Sequence, residues 1–142
     1  MIRAATFADV PRMVALGREF LRAAALPIDF DAEHASRTAH GYIYHPDTLA
    51  LVLEVDGRVE GVMLAHCLGH AFGPVRVAQE LLWWIEPAHR GAGGGFIDRY
   101  EAWARERGAV IAGLAARDER VGRLYLRRGY ALAETHYFKV FG

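Results

Sequence analysis

The sequence is poor in several residues whose presence would define a protein class. Among 142 residues there is one cysteine, Cys67, so a disulfide framework is excluded and a reducing, cytoplasmic compartment is the expected setting. Lys139 is the only lysine, asparagine is absent, and the cationic side chains are otherwise arginines and histidines. Seventeen Lys and Arg balance seventeen Asp and Glu, for no net charge. A general nucleic-acid binder carries a basic excess, so no nucleic-acid partner is expected. No stretch approaches the ~20 apolar residues that span a bilayer. The opening Met-Ile-Arg-Ala-Ala-Thr lacks the apolar core of a signal peptide. What is present is a globular composition, 53% hydrophobic and 24% charged, which rules out intrinsic disorder. Residues 1–142 fit one domain.

Hydrophobic periodicity orders the chain. Ile2 to Ala5 read as a short strand, and Asp9 and Pro11 open a helix whose apolar positions run Val10, Met13, Val14, Gly17, Phe20, Leu21 and Ala24. Asp31 caps a second helix that ends before Pro46. Leu49 to Val55 and Arg58 to Cys67 are strands joined at Asp56-Gly57, a tight hairpin signal. Val75 to Glu86 is a further strand ending at Pro87. The run Gly91-Ala92-Gly93-Gly94-Gly95 then leads into a helix that Gly108 ends. Ala109 to Ala115 reads as a buried strand, Asp118 caps a short helix, and Tyr130 to Phe141 reads as a last strand. The expected class is α/β (α+β mixed): a central, mixed, mostly antiparallel sheet of about six strands flanked by about four helices.

The chemistry-bearing stretch runs from Glu80 to Ile97: strand, proline, arginine, glycines, helix. Glycines at a helix start expose backbone N–H groups to an anion, and the helix dipole favours negative charge there. A P-loop would need Gly-Lys-Ser/Thr, but the only lysine is Lys139. A dinucleotide fingerprint would need glycine where Phe96 stands. The remaining pattern is Arg90-x-x-Gly93-x-Gly95.

That pattern resembles the Arg/Gln-x-x-Gly-x-Gly/Ala loop of the GNAT superfamily of N-acetyltransferases. Two other segments share the resemblance: the Asp56-Gly57-Arg58-Val59-Glu60-Gly61 hairpin and Leu124-Tyr125-Leu126-Arg127-Arg128-Gly129-Tyr130, similar to the family's Leu-Tyr-x-Lys/Arg-x-Gly-Phe signature. Asp118 stands where the family often has asparagine. The resemblance implies acetyl-CoA as co-substrate, its pyrophosphate on the amides of Gly91, Ala92, Gly93, Gly94 and Gly95 beside Arg90. The pantetheine arm would run along the strand ending at Trp84 and Ile85, with Asp118 near it. The implied reaction is direct acetyl transfer to a primary amine in a ternary complex, with a small-molecule or peptide acceptor. The seven histidines show no metal-ligand spacing with carboxylates or the cysteine, so no metal is expected. A non-catalytic acyl-CoA-binding or sensing module of the same fold is the alternative.

Such a transfer needs a base for the amine, a donor for the developing oxyanion and an acid for the leaving thiolate. Tyr125 sits where the family places the acid, and a backbone N–H around Trp84 or Ile85 is the expected oxyanion donor. Glu80 is the first candidate base because simple alternation puts it on one strand face with Leu82, Trp84 and Glu86. Glu86, water and a loop histidine remain open. Segments 27–46 and 66–76, the latter including His66 and His70, are expected to shape the acceptor side. Cys67 is expected to be a quiet thiol. Aromatic residues Tyr137, Phe138 and Phe141 on the last strand suggest an exposed sheet edge, and hence a homodimer through that strand.

Overall fold

The computed structural model describes all residues, Met1–Gly142. Five strands and four α-helices follow one another as β1 (Ile2–Ala4), α1 (Val10–Ala24), α2 (Ala32–Tyr44), β2 (Thr48–Val55), β3 (Arg58–Gly69), β4 (Arg76–Ile85), α3 (Gly93–Glu106), β5 (Ala109–Gly113) and α4 (Glu119–Arg127). The strands form one sheet in the order β1-β2-β3-β4-β5. The first three pairings are antiparallel and β4–β5 is parallel. The mixed, mostly antiparallel α/β class expected from the sequence is therefore the one observed.

Local chemistry accounts for most element boundaries. Asp56 and Gly57 both take positive φ, 50° and 76°, the geometry that matches a two-residue hairpin to strand twist. The Asp31 side chain accepts from His34 N at the start of α2, and Asp118 accepts from Val121 N at the start of α4, each satisfying a backbone donor that the helix cannot.

The sheet is covered on both faces. On one, Val52, Val62, Leu64 and Trp84 pack under α1 and α2 through Val10, Met13, Leu16 and Ala39. On the other, Leu51, Met63, Cys67 and Ile85 pack under α3 through Phe96, Tyr100 and Ala104. Gly61 is required by close approach: a Cβ there would stand 3.1 Å from Leu53 Cβ and 3.3 Å from side-chain atoms of Ile85 and Phe96.

Ala109 to Ala115 are not the buried strand expected: β5 ends at Gly113 and is the last strand of the sheet, with Val110 and Ile111 exposed. Two further expectations are corrected. Tyr130 to Phe141 form no strand: residues past Tyr130 make no backbone hydrogen bond, and all are exposed. The sheet thus has five strands, and its free edge on this side is β5, not a C-terminal strand. Second, the register between β3 and β4 shifts: Leu64 faces Leu82, whereas Ala65 faces Glu80. Leu81 is the extra residue of a β-bulge, so the alternation of side chains is broken there.

Candidate active site

The bulge sets the geometry of the site. Leu82 and Trp84 lie on the α1–α2 face, as Leu64 and Val62 opposite them do. Glu80 stands opposite Ala65, which belongs to the α3 face. Glu80 therefore does not share a face with Leu82 and Trp84, and the alternation argument that selected it fails by one inserted residue. Immediately beside the bulge, β4 and β5 part. Their last paired residues are Gln79 and Gly113, so the β5-side edge of β4 from Glu80 to Ile85 has no strand partner.

Both proposed catalytic side chains come together at this opening. The Tyr125 hydroxyl donates to Ala115 O at 2.9 Å, and Ala115 N donates to Glu80 Oε1 at 3.1 Å. The two bonds hold opposite ends of one residue just beyond β5. Burial pushes the Glu80 carboxyl above its usual range, partly offset by the Ala115 N–H and by Arg117. Burial also raises the Tyr125 phenol, and neighbouring Glu80 adds to the shift, so this hydroxyl keeps its proton at neutral pH. Its ring stacks on Trp83, centroids 6.4 Å apart at 17°.

The adjacent tryptophans divide between the two faces. Trp84 is buried toward α1 and donates through Nε1 to Glu86 Oε1 at 3.3 Å. Trp83 lies on the α3 side against Phe96. Its Nε1 is buried with no hydrogen-bond partner, a donor whose desolvation costs about 1–3 kcal/mol until an acceptor meets it.

The glycine run is not a loop throughout. Pro87–Ala92 form a 3-10 turn, and Gly93, Gly94 and Gly95 are the first turn of α3. No side chain caps this helix, and the first-turn amides of Gly94 and Gly95 have no intrahelical acceptor. Arg90 donates from Nε to Ile85 O at 3.1 Å and lays its guanidinium over Trp84. Arg128 reaches the same turn, with Nη2 3.3 Å from Gly94 O and Nη1 2.8 Å from Asp98. The glycines differ in purpose. A Cβ at 93 would meet the Trp83 ring at 3.3 Å and one at 95 would meet Ile2 Cδ1 at 2.7 Å, whereas one at 91 would meet nothing within 4 Å. Gly93 and Gly95 let the helix pack closely, and only Gly91 leaves open space.

On the other face a cleft of about 410 Å³ runs between α1, α2 and the sheet, with Met13, Leu21, Phe30, Ala39, Leu64 and Leu82 in its wall. Its only charged or titratable lining residues are Asp29, Asp31 and His34. Residues of the segment 27–46 line it, but none from 66–76 does. His66 instead has Nδ1 3.2 Å from the Tyr42 hydroxyl, and His70 is exposed. The α1 contribution was read from sequence only as core. The one signal for it was Gly17 inside the helix, whose missing side chain leaves room beside Phe30. Cys67 is fully buried, and no three His, Cys, Asp or Glu side chains come together as a metal-ligand group.

No protein-family model matches the chain, and no curated protein is similar to it in sequence. Solved structures are similar over nearly its whole length. A predicted acetyltransferase with acetyl-CoA from Clostridium acetobutylicum superposes with a TM-score of 0.80 at 16% identity, over 99% of this chain and 95% of that one. Glucosamine-6-phosphate N-acetyltransferase from Arabidopsis thaliana gives 0.78 at 14%, over 100% and 98%. A transcriptional regulator from Bacillus halodurans C-125 gives 0.81 at 17%, over 99% of both chains. At these identities the likeness establishes the fold, and the fold is that of the GNAT acetyltransferases.

Proposed function

We propose that the chain is an acetyl-CoA-dependent N-acetyltransferase that moves an acetyl group to a primary amine by direct transfer in a ternary complex. The observation that carries this reading is the meeting of Tyr125 and Glu80 at Ala115, where β4 and β5 separate.

The residues fit the donor. The uncapped first turn of α3, with the Gly94 and Gly95 amides outside the helix's own hydrogen bonds, the open space at Gly91 and the guanidinium of Arg90 suit a pyrophosphate, whereas the Gly93 amide is taken by Arg90 O. The orphaned Trp83 Nε1 would find an acceptor in a chain carrying amide oxygens. Trp84 and Ile85 end the stretch of β4 that has no β5 partner, and we assign the pantetheine arm to that edge, with Asp118 at the start of α4 as its further neighbour. When bound, acetyl-CoA supplies a thioester carbonyl open to attack by an amine.

The protein supplies the rest. Glu80, made a stronger base by its burial, takes a proton from the incoming ammonium, directly or through water. Unpaired N–H groups on the β4 edge near Trp84 and Ile85 receive the developing negative charge on the carbonyl oxygen. Tyr125, still protonated, gives its proton to the departing sulfur. The α1–α2 cleft opens beside Leu82 and would hold the acceptor. Apolar walls with two carboxylates and no arginine or lysine suit a small-molecule or peptide amine with an apolar body. The single buried thiol is in keeping with a reducing cytoplasmic setting.

The transcriptional regulator among the structural neighbours supports one other reading, an acyl-CoA-binding module without turnover. Free-thiol release measured across a panel of apolar and polar primary amines separates the two. Turnover with at least one amine supports the enzyme. Acetyl-CoA binding with no thiol release from any amine supports the module.

A further inference from the structure

We infer that the acceptor is an α-amino acid with an apolar side chain, and that Arg117 holds its carboxylate while Glu80 receives its ammonium group. The inference rests on the acetyl-transfer reading and names the class of acceptor within it. The exposed Arg117 lies between β5 and α4, two residues past Ala115, which bonds to both Glu80 and Tyr125. Two residues of chain span at most ~7 Å, so this guanidinium belongs to the same locality as the base. Its charge offsets part of the rise that burial gives the Glu80 carboxyl.

Arg117 has no acid to neutralise it. Arg90 is bonded to Ile85 O and Arg128 to Asp98. The Arg117 guanidinium is held by two aromatic rings alone, its Cζ 5.0 Å from the Phe20 centroid and 5.8 Å from that of Trp84. Both rings belong to the α1–α2 face, and both continue walls of the cleft. Phe20 is about one helical turn from Gly17 and adjacent to Leu21, and Trp84 follows Leu82 on the same strand face. A guanidinium stacked on rings keeps its N–H fork free, and a carboxylate matches that fork with two parallel bonds.

The charges along the entry route fit a zwitterion. A molecule entering beside Leu82 meets Arg117 on the α1–α2 face and Glu80 beyond the bulge, opposite charges for a carboxylate and an ammonium on one carbon. Its side chain falls to the apolar walls made by Met13, Leu21, Phe30 and Leu82. Asp29 and Asp31, exposed in the same cleft, repel a second carboxylate, so acidic amino acids are disfavoured.

The test compares leucine with isoamylamine, the same body without the carboxylate, in thiol release by the wild type, Arg117→Met and Arg117→Lys. Either substitution keeps an apolar stem on the two rings, so both variants are expected to melt within about 2 °C of the wild type. Loss of the charged, two-bond pair is expected to lower the leucine-to-isoamylamine ratio of kcat/KM by about 10- to 100-fold in Arg117→Met. Arg117→Lys should lose less, because it keeps the charge without the fork. The amines differ in basicity, and Arg117 acts on Glu80, but both effects cancel when the ratio is compared between proteins. An unchanged ratio overturns the inference, as does a wild type that prefers isoamylamine. Acetyl-CoA affinity weakened about tenfold or more in Arg117→Met also overturns it, since the guanidinium would then serve the donor's phosphates. If no amine releases thiol, the acetyl-transfer reading fails, and calorimetric titration of leucine decides the carboxylate site by itself. Binding that Arg117→Met abolishes upholds the site; binding that survives the substitution, or no binding, overturns it.

Discussion

Replacing Tyr125 by phenylalanine separates a chemical tyrosine from a structural one, because the structure assigns the hydroxyl a single bond of known cost. The ring, stacked on Trp83 and tilted against Tyr130, is kept. What disappears is the donation to Ala115 O at 2.9 Å. A neutral hydrogen bond contributes about 0.5–1.5 kcal/mol net, and the low end applies because Ala115 is exposed and water can replace the donor. At roughly 2–4 °C per kcal/mol, Tm should fall by about 1–2 °C. Loss of a general acid is far larger, about 10²–10⁴ in rate, or roughly 3–5 kcal/mol in the barrier. The assay is thiol release with the best amine at 25 °C, with acetyl-CoA affinity measured in parallel and expected to change little. A variant that keeps more than about a third of wild-type turnover, a difference of only about 0.6 kcal/mol, while chemistry limits the rate, refutes the acid role. Tyr125 would then only hold Ala115 in place.

Other consequences are open to direct measurement. Acetyl-CoA at 100 times its Kd should stabilise the fold by about 2.7 kcal/mol and raise Tm by about 5–11 °C; no shift at millimolar donor would rule out the donor assignment. Gly91→Val should leave Tm within about 2 °C, since its side chain meets nothing in the free protein, yet weaken acetyl-CoA binding by at least about tenfold, or 1.4 kcal/mol. Unchanged affinity would remove this turn from the phosphate site. Glu80→Gln keeps an acceptor for Ala115 N but deletes a carboxyl whose folded pKa is raised. In the wild type that group's contribution is fully present below its unfolded pKa of about 4.3 and is lost as pH rises through the folded value. The variant's Tm relative to wild type should therefore climb as pH rises from about 4 through the folded value, while turnover drops by about 10²–10⁴ if Glu80 is the base. A pH-independent Tm difference contradicts the burial argument, and retained turnover moves the base elsewhere. Gly61→Ala, forced against Leu53, Ile85 and Phe96, should cost about 1–3 kcal/mol in urea denaturation, and a neutral outcome would mean that the sheet relaxes freely there.

The parts of the fold legible in the sequence were those with local causes. Asp56-Gly57 encodes a turn because two consecutive positive φ values suit few other residue pairs. Asp31 and Asp118 announce helix starts because a short carboxylate can reach a free amide three residues on. Tyr137 to Phe141 were legible only as a stretch able to be a strand. Pairing is made by a partner edge that no local pattern names, and here the chain's own β5 does not provide it. The glycine run shows a different limit. Gly91, Gly93 and Gly95 look alike in a motif, but Gly93 and Gly95 answer to Trp83 and Ile2, which lie far away in sequence or on another element.

The proposed base and acid were legible as residue types, but their proximity was not. Alternation along β4 assigns Glu80 to the face of Leu82 and Trp84, and it would be right for a regular strand. One extra residue, Leu81, turns Glu80 to the other side, and its existence depends on how β3 counts against β4 across the sheet. The pairing of β4 with β5 stops at Gln79 and Gly113, next to the same irregularity. The bulge and the opening thus occupy one place, where an unpaired strand edge, a desolvated carboxyl and a protonated phenol are within two hydrogen bonds of each other through Ala115. An amine entering along Leu82 would approach that place from the α1–α2 face, while a thioester laid along the unpaired edge would reach it from the N-terminus of α3. The two routes enter from different faces and need not compete for space, which is the physical requirement for both substrates to be bound at once in direct transfer.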